Sequence, residues 1–464
     1  MINLCSGWEF AEHWSEELLS GGGETVPVRL PHSVKETPLH YAGPQDYEGV
    51  YGYRRALDIP ENLRGKRLFL QFDGAAHIAE VFVNGTKCAE HFCGYTAFRA
   101  EITDLVNYGG DNTACVKLDS TENPAVPPFG FVIDYLTYGG LYREAWLDVR
   151  EQDWIADLYV FTPGLDLLEA RLTLQGKADL VRLSVFDGEK RVACVLGHEL
   201  FTVRVPYARA WSPEDPHLYT VRAELLDSEK NVLDTQEKRF GFRTAEFRAD
   251  GFYLNGKKSF LRGLNRHQCY PYIGYAAPAH LQWEDARILK EELHCNAVRT
   301  SHYPQSQHFI DACDELGLLV FTEIPGWQHV GDRKWQNHAV ENLCEMVMQY
   351  RSHPSIVLWG VRINESQDND EFYKRTNELC RLLDPSRPTS GVRYIEKSSL
   401  LEDVYAFNDF SHTGENPGCR PKDKVTPDMG RPCSSPSTAG TCSPPRAMTP
   451  GPSARSTPCA TPAS

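Results

Sequence analysis

Polar and apolar residues alternate with a period of two through the first half of the chain. Beyond Phe252 the period becomes mixed. Arg67-Leu-Phe-Leu-Gln-Phe72 and Ile78-Ala-Glu-Val-Phe-Val83 read as half-buried strands, and Asn84-Gly85 behind the second is a strong hairpin signal. Short strands at regular spacing, without a long helical period, predict a jelly-roll β-sandwich over residues 1–150. The pattern continues in Ala170-Arg-Leu-Thr-Leu174, Val181-Arg-Leu-Ser-Val185 and Leu218-Tyr-Thr-Val-Arg-Ala-Glu-Leu225. Residues 151–245 therefore predict an immunoglobulin-like β-sandwich. They carry no paired acids, His cluster or Gly-rich phosphate loop, and read as a spacer.

Strand-like and helical runs then alternate. Residues 259–265, 296–302, 318–323, 355–359, 387–393 and 403–407 predict six strands. Helices are predicted over 281–293 and 309–316, through Val340, Leu343 and Val347, and through Phe372, Leu379 and Leu382. Gly317 is placed to end the second of them. Alternating β and α units mean parallel strands joined by right-handed crossovers. Six units are fewer than a closed barrel needs, so residues 246–430 predict an incomplete TIM (β/α)8 barrel. The expected class is multidomain, β plus α/β.

Composition narrows the partners. The 464 residues hold 41% hydrophobic and 24% charged side chains, ordinary for a soluble globular protein. A net charge of -15 argues against nucleic acid and anionic membrane. The opening Met1-Ile-Asn-Leu-Cys-Ser-Gly-Trp8 has neither a basic nor an apolar leader, and no apolar run approaches a membrane span. A cytoplasmic location is expected, with the 14 Cys as free thiols.

In a barrel the C-terminal strand ends converge on one mouth, where the chemistry sits. His267, Arg299, His302, Glu323, Asn364 and Glu365 all fall at or just past such an end. Each alone is as well explained by a structural hydrogen bond. Six at one mouth suit a neutral polyhydroxylated substrate, and no dinucleotide or phosphate motif competes. Asp134, ahead of Gly139-Gly140, is either a turn cap or a residue lent to that mouth.

The chain resembles glycoside hydrolase family 2, the β-galactosidase and β-glucuronidase family. The likeness rests on Leu261-Arg-Gly-Leu-Asn-Arg-His267, on Asn296-Ala-Val-Arg-Thr-Ser-His-Tyr-Pro304 running through Asp311 to Phe321, and on Arg351 to Asn364-Glu365. Trp211-Ser-Pro-Glu-Asp-Pro-His-Leu-Tyr219 and Gly241-Phe-Arg243 resemble the family's second domain. The resemblance implies a general acid/base at Glu365, with Asn364 on the sugar 2-hydroxyl. It puts His267, Arg299, His302 and Glu323 around the glycone, and Asp134 on sugar hydroxyls. The implied reaction is retaining hydrolysis of terminal non-reducing β-galactosides. A β-glucuronidase of the same family is one alternative, and a non-catalytic carbohydrate-binding fragment another. A homo-oligomer is expected for the full-length form. The galactosidase branch has a magnesium site after the third strand. Here Trp327 stands in place of its carboxylate, although His329 matches, so no cofactor is expected.

The family's nucleophile is a Glu on a seventh strand, which the reading frame does not reach. Residues 432–464 contain no Asp, Glu, Lys, aromatic residue, Leu, Ile or Val, and eight of them are Pro. A disordered tail from residue 431 is expected. Codons allowed for Pro436-Ser-Thr-Ala-Gly-Thr-Cys-Ser-Pro-Pro-Arg446, read one base earlier, permit Glu-Tyr-Ser-Gly-His-Met-Phe-Pro-Pro-Lys. A frameshift ahead of the nucleophile, and with it an inactive chain, is the expectation. The nucleotide sequence there checks it.

Overall fold

The computed structural model describes residues 1–39, 42–410 and 420–435. The first domain is a sandwich of two antiparallel sheets around one core. The larger sheet runs Val26–Val28, Trp8–Ala11, Val50–Asp58, Asp111–Asp119, Ile78–Val83, Thr86–His91. The smaller runs Ile2–Asn3, Ala145–Arg150, Arg67–Phe72, Phe98–Glu101. The alternation explains the packing: Ala79, Val81 and Val83 enter the core with Leu68, Leu70 and Phe72. Asn84 and Gly85 have φ of 49° and 79°, the two positive values a tight hairpin turn needs.

The second domain also has two sheets. Trp154–Phe161, Leu167–Gln175 and Leu200–Arg204 form one; Lys190–Gly197, Leu180–Asp187, Tyr219–Leu226 and Val232–Phe240 form the other. A small antiparallel sheet, Ala245–Arg248, Gly251–Leu254 and Lys257–Ser259, leads onward. The sequence pattern assigns Ser259 to the first barrel strand. Instead Asn255-Gly256, with φ of 51° and 75°, folds Lys257–Ser259 back onto Gly251–Leu254.

The barrel strands follow in parallel order: β1 (Gly263–Arg266), β2 (Ala297–Thr300), β3 (Leu319–Glu323), β4 (Ile356–Gly360), β5 (Thr389–Arg393), β6 (Val404–Phe407) and β7 (Cys433–Ser434). Four helices of the crossovers are α1 (Ala279–Arg287), α2 (Gln307–Leu316), α3 (Arg333–Tyr350) and α4 (Asp370–Leu383). The first was expected to run on to Leu293; it widens into a π turn at Ile288–Glu292. β7 corrects the composition argument, which allowed no strand after residue 431. Cys433 and Ser434 pair with Tyr405 and Ala406. An open sheet edge bonds any extended backbone, whatever its side chains. The rest of the expected tail, from Pro436, lies outside the described residues.

Side chains from both layers close the barrel's outer core. Val298, Val320, Ile356 and Trp359 on the strands meet Phe309, Ile310, Leu343, Met346, Val347 and Phe372 on the helices. Each such side chain contributes about 1.5–3 kcal/mol on burial. Three of the four helix starts carry a side-chain cap: Ser306 accepts from the His308 N–H at 3.3 Å, Asp332 from Trp335 at 3.0 Å and Asn369 from Phe372 at 3.1 Å. Gly317 ends α2 at φ 76°, and a Cβ there would sit 2.6 Å from the Pro213 carbonyl of the second domain. Only glycine meets both demands.

The sandwich docks on the barrel through the segment leading to Ala145. Arg143 donates to Gln268 Oε1 and to the Pro304 carbonyl, both at 3.1 Å. Trp335 Nε1 donates to the Phe129 carbonyl at 2.9 Å, and the Tyr275 hydroxyl to the Leu136 carbonyl at 2.7 Å. These bonds hold residues 129–136 against the barrel. Among the described residues the cysteines ahead of Cys433 are free thiols, and no helix is long and apolar enough to cross a membrane.

Candidate active site

β2, β3 and β4 end side by side, and their terminal polar residues form one hydrogen-bonded network. Arg299 Nη2 lies 2.7 and 2.9 Å from the two Glu323 oxygens, and its Nε 3.1 Å from Oε2. The same Nη2 donates to Asn364 Oδ1 at 2.8 Å. His302 Nδ1 lies 2.6 Å from Glu323 Oε1. Glu323 is 1% exposed, so an unpaired charge there would be very unfavourable. Burial pushes its carboxyl upward; the Arg299 charge and the His302 and Arg299 hydrogen bonds outweigh this and hold it below the usual glutamate range.

Glu365 stands one residue beyond Asn364, past the end of β4, and is 8% exposed. Its backbone is left-handed, with φ 54°, which positions a carboxylate where a non-glycine residue is strained. Two amides hold the side chain: Asn408 Nδ2 donates to Oε1 at 2.7 Å and Gln328 Nε2 to Oε2 at 3.3 Å. Asn408 Nδ2 also reaches Asn364 Oδ1 at 3.5 Å, tying the two neighbours together.

His267 joins from β1. Its ring meets His302 edge-on with centroids 5.6 Å apart, and Nδ1 lies 3.1 Å from the Tyr303 hydroxyl. Burial, then the nearby His302, pushes its pKa down to about 4, so it is neutral at pH 7. The sandwich supplies Tyr135, whose ring centroid is 5.4 Å from His267 and 6.0 Å from His302. Asp134 lies exposed at the rim. Partial burial raises its carboxyl, His302 lowers it, and the Glu365 charge raises it again. It therefore shares the field of the network without a direct bond to it.

All seven residues singled out in the sequence thus surround one mouth. Asn408, Gln328 and Tyr135 are additions. Asn408 directly follows β6, so the strand-end rule applied to that strand would have found it. Tyr135 and Gln328 lie on connecting segments, with no comparable signal.

Among the described residues the loop after β3 is a poor fit for magnesium. Magnesium requires near-octahedral oxygen ligands at about 2.0–2.1 Å. Trp327 supplies an indole, with no oxygen. The His329 ring packs edge-on against Trp335 with centroids 5.6 Å apart, and the Glu365 oxygens already accept from amides. A second group of metal-type donors, Asp311, Asp314 and His353, is internally closed. His353 Nδ1 lies 2.5 Å from Asp314 Oδ2, and Ser355 N–H donates to Oδ1 at 3.0 Å.

Three family models match in chain order. Residues 43–127 match the glycosyl hydrolase 2 galactose-binding domain-like model, 166–243 the glycosyl hydrolases family 2 model, and 245–416 its TIM barrel domain. The chain belongs to glycoside hydrolase family 2. A β-galactosidase of Thermoanaerobacterium thermosulfurigenes is 44% identical over 92% of the chain and 62% of its own length. A β-glucuronidase of Bacteroides fragilis is 33% identical over 84% and 60%. The crystal structure of a Bacteroides uniformis β-glucuronidase superposes with a TM-score of 0.77 at 25% identity, covering 88% of this chain and 54% of that one. The chain spans about three fifths of the length of the curated family 2 relatives it matches. The matched barrel model covers every barrel residue of the mouth described above, and Asp134 and Tyr135, lent by the sandwich, lie outside it.

Proposed function

We propose that this chain carries the sugar-binding mouth and proton donor of a retaining exo-β-galactosidase. The observation that carries the reading is the Asn364-Glu365 pair past β4. Its carboxylate is held by two amides, and its neighbour is held by the Arg299–Glu323 pair. Glu365 delivers its proton to the glycosidic oxygen as the bond to the anomeric carbon breaks, then takes one from the attacking water. Asn364 Oδ1 accepts from Arg299, so its Nδ2 hydrogens are the donors it offers a sugar hydroxyl. Glu323 serves by orienting Arg299 and His302. The nucleophile carboxylate, about 5–5.5 Å from the acid in such enzymes, is assigned outside the described residues.

Charge favours a galactoside over a glucuronide. Asp134 and Glu323 share the mouth with Arg299, which Glu323 and Asn364 already hold. A uronate would add a further negative charge. The 44% identity to a protein named β-galactosidase supports the same side. The test is calorimetric titration with methyl β-galactoside and methyl β-glucuronide, alongside a chromogenic β-galactoside assay. The galactoside is expected to bind more tightly, and any hydrolysis to vanish in Glu365→Gln. Tighter glucuronide binding, or hydrolysis indifferent to that substitution, overturns the proposal.

A further inference from the structure

Glu365 opens on a pocket of about 370 Å³ whose walls include Phe131, Gln328, His329, Asp368 and Tyr394. Resting on the proposed role of Glu365, the geometry locates the leaving group: a donor that protonates the glycosidic oxygen faces the departing half of the substrate. We propose that this pocket is the leaving-group subsite and that it selects an uncharged, flat-faced ring stacked on Phe131.

Phe131 is 60% exposed although its segment is anchored by the Trp335–Phe129 hydrogen bond, so a rigid mount presents a bare ring. Val132 beside it is exposed as well. Tyr394, also on the wall, is 43% exposed, and Gln367 Nε2 donates to its hydroxyl at 2.7 Å. Large apolar faces left open beside a polar site mark a binding surface. An aryl group and a pyranose both offer the flat face that such rings stack against.

The sign of the charge is also set. The described residues of the wall include Asp368 and neither Lys nor Arg, and Glu365 enters as the proton donor. Asp368 is ionised at any working pH. Burial raises its carboxyl, but bonds from Ser398, the Ser399 N–H and Arg362 outweigh this and take it down to about 2. Arg362 is itself buried, with Nη2 2.6 Å from Asp368, so its charge is committed there. A negatively charged leaving group meets repulsion.

The test titrates the intact chain with methyl β-galactoside, phenyl β-galactoside, 4-carboxyphenyl β-galactoside and a galactosyl-β-glucose disaccharide. At least one ring-bearing neutral ligand is expected to bind more tightly than the methyl glycoside. The phenyl arm assigns an aryl ring, the disaccharide arm a sugar ring. Phe131→Ala is expected to weaken the favoured ligand roughly fivefold and leave methyl β-galactoside unchanged, with Phe131→Trp restoring the preference. The carboxyphenyl glycoside is expected to trail the phenyl one by a margin that shrinks with added salt. Equal affinities for all neutral ligands, or a Phe131→Ala loss shared by the methyl glycoside, overturn the subsite while leaving the galactoside reading intact. Failure of every galactoside to bind overturns both.

Discussion

The two sides of the mouth are built on opposite principles. On the barrel side Arg299, His302, Glu323 and Asn364 are buried, charged or polar, and bonded to one another. On the sandwich side Phe131, Val132 and Asp134 stand exposed, with only the backbone beneath them pinned. The first arrangement is stiff, because no member moves without leaving another's charge unpaired. The second is open to substitution, because its side chains contribute little to the fold. On the proposed function, geometry for the chemistry resides in the barrel, and discrimination among substrates at the border with the neighbouring domain.

That contrast can be broken experimentally. The largest effect is expected for Glu323→Gln, which leaves the Arg299 guanidinium buried without its counter-charge: about 3–5 kcal/mol lost in urea unfolding. A loss below about 1 kcal/mol would mean that the barrel side is no stiffer than a surface ion pair. Acid comes next. His77, buried in the sandwich against Phe129 and Tyr95, has its pKa pushed down to about 4 by burial. Its folded-state value lies below the ordinary 6.5, so the unfolded chain binds the extra proton first as pH falls. Stability is full above about pH 6.5 and declines toward pH 4, by about 3 kcal/mol from this one residue. The decline should shrink in His77→Phe, measured as melting temperature against pH. Asn408→Ala removes an amide from the Glu365 carboxylate, and about 1–3 kcal/mol is expected. The smallest effect is expected for Asp134→Asn, within about 0.5 kcal/mol of wild type in stability yet weaker in galactoside binding. A large stability loss there would place Asp134 with the barrel network and erase the distinction.

Legibility from sequence followed the same divide. Strand ends in a parallel βα pattern have a fixed geometric meaning, so His267, Arg299, His302, Glu323, Asn364 and Glu365 could be gathered before any coordinates. Asn408 obeys the same rule, since it directly follows β6. Tyr135 and Phe131 were beyond reach. Their place at the mouth depends on how Arg143 and Trp335 bond across a domain boundary, and no local period encodes that contact. The Asn255-Gly256 hairpin is legible in the Asn-Gly pair, whose two residues tolerate the positive φ it needs. The pairing of Cys433 and Ser434 was not legible, since the vacant edge of β6 supplies its partner groups.

The left-handed backbone at Glu365 has an evolutionary consequence. At φ 54° a side chain costs roughly 1–2 kcal/mol that glycine avoids. Retaining glutamate there opposes the local preference of the chain in every generation. Selection for folding stability alone should draw position 365 toward glycine or asparagine, while buried Glu323, paired with Arg299, stays. The residue at that one position thus reports whether more than folding is being selected.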